Sequence, residues 1–208
     1  MTTALYTHAA CLHHDPGSGH PERMQRLSAV LHGLKGQEFA QVKWREAPRA
    51  EIAQLERSHD PDYVRMALAA VPEHGWAHLD GDTILSPGSG EAALRAAGAV
   101  TAAVDAVLKG EIKNAFCAVR PPGHHAERDV AMGFCVFNNV AVGAEQARAI
   151  HGLTRVAVMD FDVHHGNGTQ HIFAADPDLF YASTHQMPLY PGTGARGERG
   201  VGNICNAP

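Results

Sequence analysis

Three short apolar runs, NAFCAV, RVAVM and LFYAS, each lead into a polar, histidine-bearing cluster, and helix-patterned segments lie between them. Runs of this length and composition read as strands. Their alternation with helices points to an α/β fold with a mainly parallel sheet and helices on both faces. The segment RVAVMDFDVHHGNG is nearly continuously apolar before its acids, as expected of a strand covered on both faces. In such sheets the loops beyond the carboxyl ends of the strands form the ligand-binding edge. The clusters RPPGHH, DFDVHHGNG and STHQ should therefore converge on one edge.

The remaining segments fit the same plan. TALYTH and VKWREAP read as two further strands, and MQRLSAVLHGLKG, SGEAALRAAGAVTAAVDAVLKG, FNNVAVGAEQARAIHG and GTQHIFAAD as helices. AEIAQLERSHDPDYVRMALAAV reads as two short helices broken at Asp60-Pro61, and HLDGDTILSPGSG as loop. A length of 208 residues suits a single domain spanning 1–208. The formal charge of -5 argues against a basic nucleic-acid-binding surface. No apolar run is long enough to span a bilayer, and the opening MTTALYTHAA lacks the features of a signal peptide. Cys11, Cys117, Cys135 and Cys205 are widely spaced with no CxxC pair, which favours a reducing cytoplasm over a disulfide framework.

The unusual number is 15 histidines, most of them in turn-rich clusters. Asp160 and Asp162 are two apart and His164 continues that period, so on a strand the three share a face. Two carboxylates and an imidazole at a strand end suit a divalent cation such as zinc, manganese or iron. For His124 and His125, spacing leaves two options open: further ligands, or acid/base groups beside a metal-bound water. Neighbours on an extended segment point to opposite sides, which disfavours both binding one metal.

RPPGHHAERDVAMGFCVFNNVAVGA, VAVMDFDVHHGNGTQHIF and STHQMPLYPGTG, in that order, resemble the zinc-dependent histone deacetylase family, in its class II and bacterial amidohydrolase branch. GHPERMQRL and DGDTILSPGSGEAALRAAGAV resemble that family's early segments. The resemblance implies the arginase/deacetylase fold, a three-layer αβα sandwich. It also implies hydrolysis of acetyl or related acyl groups from lysine side chains, polyamines or similar amines. Asp162 and His164 would ligate zinc. His124 and His125 would not; they would hydrogen-bond the zinc-bound water and the substrate carbonyl. His125 would be general base and then acid, His124 an electrostatic partner, and Asp160 would orient His124. Asn167 faces His125 where class I members carry Asp, so a less basic His125 is expected.

Phe134 and Tyr190 match the walls of the acyl-lysine tunnel, Gly133 a carbonyl within it, and Asp82 the rim acid. His20, with Pro21 and Glu22, matches the entrance loop. Ser183 and Thr184, with backbone of Asp160, Asp162 and His164, match a potassium site, and carbonyls near Phe173, Asp176 and Leu179 a second one. In the family the third zinc ligand, an Asp, and an oxyanion-stabilising Tyr or His follow positions corresponding to residue 208. The chain is therefore expected to be the N-terminal portion of a deacetylase, truncated after Pro208. Such a portion should leave one sheet edge unpaired, open to a partner or to self-pairing into a homo-oligomer. Two functions follow: a zinc-dependent amide hydrolase, or a catalytically incomplete binding module of the same fold.

Overall fold

The computed structural model describes residues 2–208. Strand β1 (Thr3–Thr7) lies at the centre of a parallel sheet, between β2 (Lys43–Glu46) and β5 (Asn114–Cys117). A second parallel sheet has the order β6 (Val156–Asp160), β7 (Leu179–Thr184), β8 (Ile204–Ala207). In its register Asp160 lies beside Ser183. The segment read as loop contains a small antiparallel hairpin, β3 (Ala77–His78) with β4 (Ile84–Leu85). The strands thus form two separate parallel halves, and β5 and β6 are each the edge of their half.

Helix α4 (Ser89–Leu108) and helix α5 (Asn139–His151) pack together and hold the two halves side by side. Small residues make this possible, because helix separation is set by the side chains at the contact. Ala92, Ala96, Ala97 and Ala99 of α4 are fully buried. A Cβ on Gly143 of α5 would collide with Val100 of α4. Helix α5 starts where Asn138 Oδ1 accepts from the Ala141 amide at 3.1 Å and stops at Gly152, which takes the left-handed conformation at φ 68°. Helix α2 (Ile52–Leu55) is followed by α3 (Pro61–Ala69), with Pro61 in the first turn and Asp60 capping the Asp62 amide.

The central strand of the first half-sheet, β1, is covered on both faces. Leu5 and Ala118 pack with Leu27 of α1 (Met24–Gly33), while Ala4 and Tyr6 pack with Ala99 and Ala103 of α4. The second half is not. Leu179, Tyr181, Val156 and Val158 pack against α5 and α6 (Asn167–Phe173), but Met159 and Phe180 on the other face are 57% and 42% exposed. The expectation that β6 is buried on both faces is not met, because among the described residues no helix covers that side. Among the described residues no helix is long and apolar enough to cross a membrane.

Candidate active site

A pocket of about 530 Å³ opens at the carboxyl ends of the strands, where the loop after β5 meets the turn after β6. His124, His125, Asp162 and His164 line it together with Asp82, Gly133, Phe134 and Tyr190. Asp160 and Asn167 stand behind the two histidines, each hydrogen-bonded to one of them.

The strand-face argument for Asp160, Asp162 and His164 needs correction. Strand β6 ends at Asp160, and the chain then folds into successive side-chain turns. Asp160 Oδ1 accepts from the Asp162 amide at 3.1 Å, and Asp162 Oδ1 from the His164 amide at 2.8 Å. Short acids bond their own backbone two residues on, and this ends the strand. As a result Asp160 turns inward while Asp162 and His164 reach the pocket.

His124 Nδ1 lies 2.9 Å from Asp160 Oδ2, which also accepts from the Tyr181 hydroxyl at 3.0 Å. Burial raises the Asp160 pKa, but hydrogen bonds from His124, the Asp162 amide and Tyr181 outweigh it and hold the carboxyl below its usual range. An ionised Asp160 only accepts, so His124 Nδ1 donates. His125 Nδ1 lies 2.8 Å from Asn167 Oδ1, and Asn167 Nδ2 donates to Glu127 Oε1 at 2.8 Å. That second bond fixes the amide, so His125 Nδ1 must donate and Nε2 keeps its lone pair. Burial, followed by the neighbouring His124, lowers the His125 pKa to about 4. His125 is thus held as a neutral imidazole with a free basic nitrogen.

The metal donors are fewer. Asp162 Oδ1 and His164 Nδ1 lie 3.0 Å apart. Two ligands on one tetrahedral zinc, with legs near 2.0–2.2 Å, stand roughly 3.4 Å apart. The pair is close to that spacing. A catalytic zinc keeps three protein ligands, however, and among the described residues no cluster of three or more His, Cys, Asp or Glu is arranged to hold a metal. The chain's own residues therefore fall short of a zinc site.

Around the potassium positions, Ser183 Oγ bonds His185 Nδ1 at 2.9 Å, and Thr184 is exposed. The carbonyls of Phe173, Asp176 and Leu179 do converge, but on the Asn203 amide nitrogen, at 2.8, 2.8 and 2.6 Å. That nitrogen has two hydrogens for three acceptors.

The pocket walls are set by backbone. Gly133 and Phe134 both have positive φ, 56° and 68°. A Cβ at Gly133 would collide with the His125 ring, so this close approach requires glycine. The Phe134 amide is pinned to Thr83 Oγ1 at 3.1 Å. Tyr190 stands edge-on to His125 with ring centres 5.1 Å apart. Asp82 lies at the rim, its pKa raised by partial burial and by Asp80. His20 does not line the pocket. It packs edge-on against Phe134 and spans from Glu22 to the Asp82 carbonyl, bracing the wall from outside.

A family model described as the histone deacetylase domain matches residues 20–208. The chain belongs to the histone deacetylase family. A protein of Synechocystis described as uncharacterized is 41% identical over all of this chain and 69% of its own length. The histone deacetylase-like amidohydrolase of Pseudomonas aeruginosa is 45% identical over 90% of this chain and 50% of its own length. Human polyamine deacetylase HDAC10 is 40% identical over 89% of this chain and 29% of that protein. The crystal structure of the HDA15 HD domain superposes with a TM-score of 0.93 at 34% identity, over 99% of this chain and 61% of that one. The α/β architecture of parallel strands flanked by helices is the deacetylase fold. The chain spans 69%, 56% and 50% of the cyanobacterial, Archaeoglobus and Pseudomonas relatives it matches.

Two supports of this pocket escape motif reading. Arg120, 3% exposed, donates from Nε and Nη2 to the two Glu22 oxygens at 2.6 and 2.5 Å, and from Nη1 and Nη2 to the Cys11 and His14 carbonyls at 2.8 and 3.0 Å. It ties the histidine loop to the entrance loop in a bidentate pair. Its signal was an arginine set between a strand and a Pro-Pro corner, where a buried charge needs a carboxylate. Tyr181, fully buried in β7, accepts from the Gly166 amide at 3.0 Å and donates to Asp160. Inside an apolar strand nothing marks that hydroxyl.

Proposed function

We propose that this 208-residue chain is a catalytically incomplete deacetylase-fold module that binds an acylated amine, an acetyl-lysine side chain or an acetylpolyamine. The observation that carries this is the mismatch within the pocket. The hydrogen bonds His124–Asp160 and His125–Asn167 support a proton-handling role, while Asp162 and His164 lie 3.0 Å apart with no third donor beside them among the described residues. The substrate class is supported by the aromatic walls Phe134 and Tyr190 and by the names of the Pseudomonas and human relatives.

The residues present suit a defined task. Phe134 and Tyr190 would flank an extended acyl-amine chain, and Asp82 at the rim would accept from substrate N–H groups. His125 Nε2 would take a proton from an attacking water and return it to the leaving amine. His124, held by the Asp160 carboxylate, would support charge developing on the acyl oxygen. Completed with the missing donor, the same residues would serve zinc-dependent removal of acyl groups. The potassium sites and a cytoplasmic setting belong to that fuller reading.

The test is hydrolysis of a fluorogenic acetyl-lysine peptide by the 208-residue chain, with calorimetric binding of an uncleaved acetyl-lysine peptide. Saturable binding without turnover is expected, and Tyr190→Ala should abolish it. Steady turnover at stoichiometric zinc, or no binding at all, would overturn the proposal.

A further inference from the structure

We infer that Glu198 is a positioning residue: it anchors the foot of the loop that carries Tyr190 and so holds that ring against His125. Tyr190 stands on a stretch with little hold of its own. Among the described residues the backbone of 187–192 bonds only to itself, the Gly192 amide donating to the Leu189 carbonyl at 2.9 Å. Tyr190 is 40% exposed, so packing around the ring does not fix its place either. The hold comes from the two feet of the loop. On one side the Gln186 amide donates to the Val163 carbonyl at 2.9 Å. On the other, residues 193–198 are tied down by a chain of polar side chains that takes no part in the pocket.

That chain starts at Glu198. Its carboxylate accepts the Gly194 amide at 3.0 and 3.1 Å and the Ala195 amide at 2.9 Å, folding this end of the loop back on itself. The same carboxylate accepts from Gln170 Nε2 of α6 at 2.6 Å. This bond fixes the Gln170 amide, so Gln170 Oε1 accepts, from Asn206 Nδ2 at 2.7 Å and from His165 Nε2 at 2.9 Å. In the neutral His165 ring Nδ1 is then the acceptor, and it takes the Thr193 hydroxyl at 2.8 Å. One carboxylate thus sets the direction of each donor as far as Thr193, three residues after Tyr190.

Packing leaves the foot a single seat. His165 and His185, 1% and 8% exposed, lie with ring centres 4.9 Å apart. Gly194 rests on both rings. A Cβ there would meet His185 at 2.5 Å and His165 at 2.6 Å, and the φ of 92° also requires glycine. The Gly194 carbonyl accepts from His185 Nε2 at 3.0 Å, and His185 Nδ1 bonds Ser183 Oγ of β7. A buried network with its members satisfied rigidifies what it holds. That Tyr190 walls a substrate rests on the proposed binding of an acylated amine; that Glu198 places it does not.

The experiment follows the His125 Cε1 proton by NMR, since the Tyr190 ring edge-on to His125 shifts its resonance. Tyr190→Leu marks the position reached when that ring is lost. Glu198→Gln keeps the side-chain volume but sets an amide donor against either Gln170 Nε2 or the loop amides. The His125 resonance is expected to move towards the Tyr190→Leu position. Adding Gln170→Glu exchanges donor and acceptor along the pair and restores its bonds, so the original resonance should return. Calorimetric affinity for the uncleaved acetyl-lysine peptide should fall about 2–12-fold in Glu198→Gln, the cost of ordering one wall side chain at binding, and recover in the double variant. A His125 resonance that Glu198→Gln leaves in place, or a double variant no nearer the original than the single one, would overturn the inference. If the unaltered chain does not bind the peptide, the binding proposal falls, and the resonances still decide whether Glu198 places Tyr190.

Discussion

Asn167→Asp should make His125 markedly more basic. In the present site His125 Nδ1 donates to a neutral amide oxygen at 2.8 Å, and burial and His124 hold the imidazole at about 4. A carboxylate at that distance favours the imidazolium, and an opposite charge this close moves a pKa by roughly 1–3 units, so a value of about 5–7 is expected. Each unit corresponds to about 1.4 kcal/mol of preference for the protonated ring. One complication is built in. Asn167 Nδ2 donates to Glu127 Oε1 at 2.8 Å, so the introduced carboxylate would face that of Glu127 and share a proton with it. Asn167→Asp combined with Glu127→Gln restores that donor and should show the full shift. The assay is an NMR titration of the His125 Cε1 proton, assigned with His125→Gln. If His125 still titrates near 4 in the double variant, Asn167 does not govern its basicity and the tautomer argument fails.

Removing Arg120 leaves Glu22 buried without its bidentate partner. Arg120→Ala should cost about 3–5 kcal/mol, whereas the apolar pair Arg120→Met/Glu22→Leu should recover much of it, in urea unfolding followed by circular dichroism. Equal losses in both would show that the charge pair is not the issue. Stability should also fall in mild acid. Burial first lowers His14 and His59 to about 4 from 6.5, and His59 Nε2 accepts the Asn138 amide, which requires a neutral ring. The unfolded chain takes up these protons first, so their contribution is intact above pH 6.5 and lost as pH falls towards 4, by at most roughly 3 kcal/mol each. A flat urea midpoint from pH 7 to 4.5 would contradict this. Gly133→Ala places a methyl group against the His125 ring at a positive φ, and should cost about 1–3 kcal/mol while shifting the His125 resonances. Unchanged resonances would refute the contact.

Much of this architecture was legible because the sequence marks it locally. The alanine run fills the body of α4, and Pro61 after Asp60 and Gly152 after α5 stand where helices begin and end. The convergence of the RPPGHH and DFDVHH loops follows from parallel strand order alone. Other features lacked a local signal. β8 is four residues, Ile-Cys-Asn-Ala, after a glycine-rich stretch, and the hairpin strands are two residues each. The end of β6 was misread because Asp160 and Asp162 cap backbone amides and break the period of two. One unpaired edge was expected, but the structure has free edges within the sheet itself, at β5 and β6. Which strands pair depends on distant segments, so no window of sequence reports it. The same holds for Tyr181 and for the Arg120–Glu22 pair, whose partners are far away in the chain.

Zinc titration of the chain and its variants bears most directly on the proposal of a site with its proton-handling groups in place and its metal donors incomplete. A full donor set holds zinc with roughly 10–16 kcal/mol. Two donors should give a dissociation constant of about micromolar or weaker. Weak binding of one zinc is expected, lost in Asp162→Ala and His164→Ala and kept in His125→Ala. Tight stoichiometric zinc, or loss of zinc on removing His125, would contradict the account.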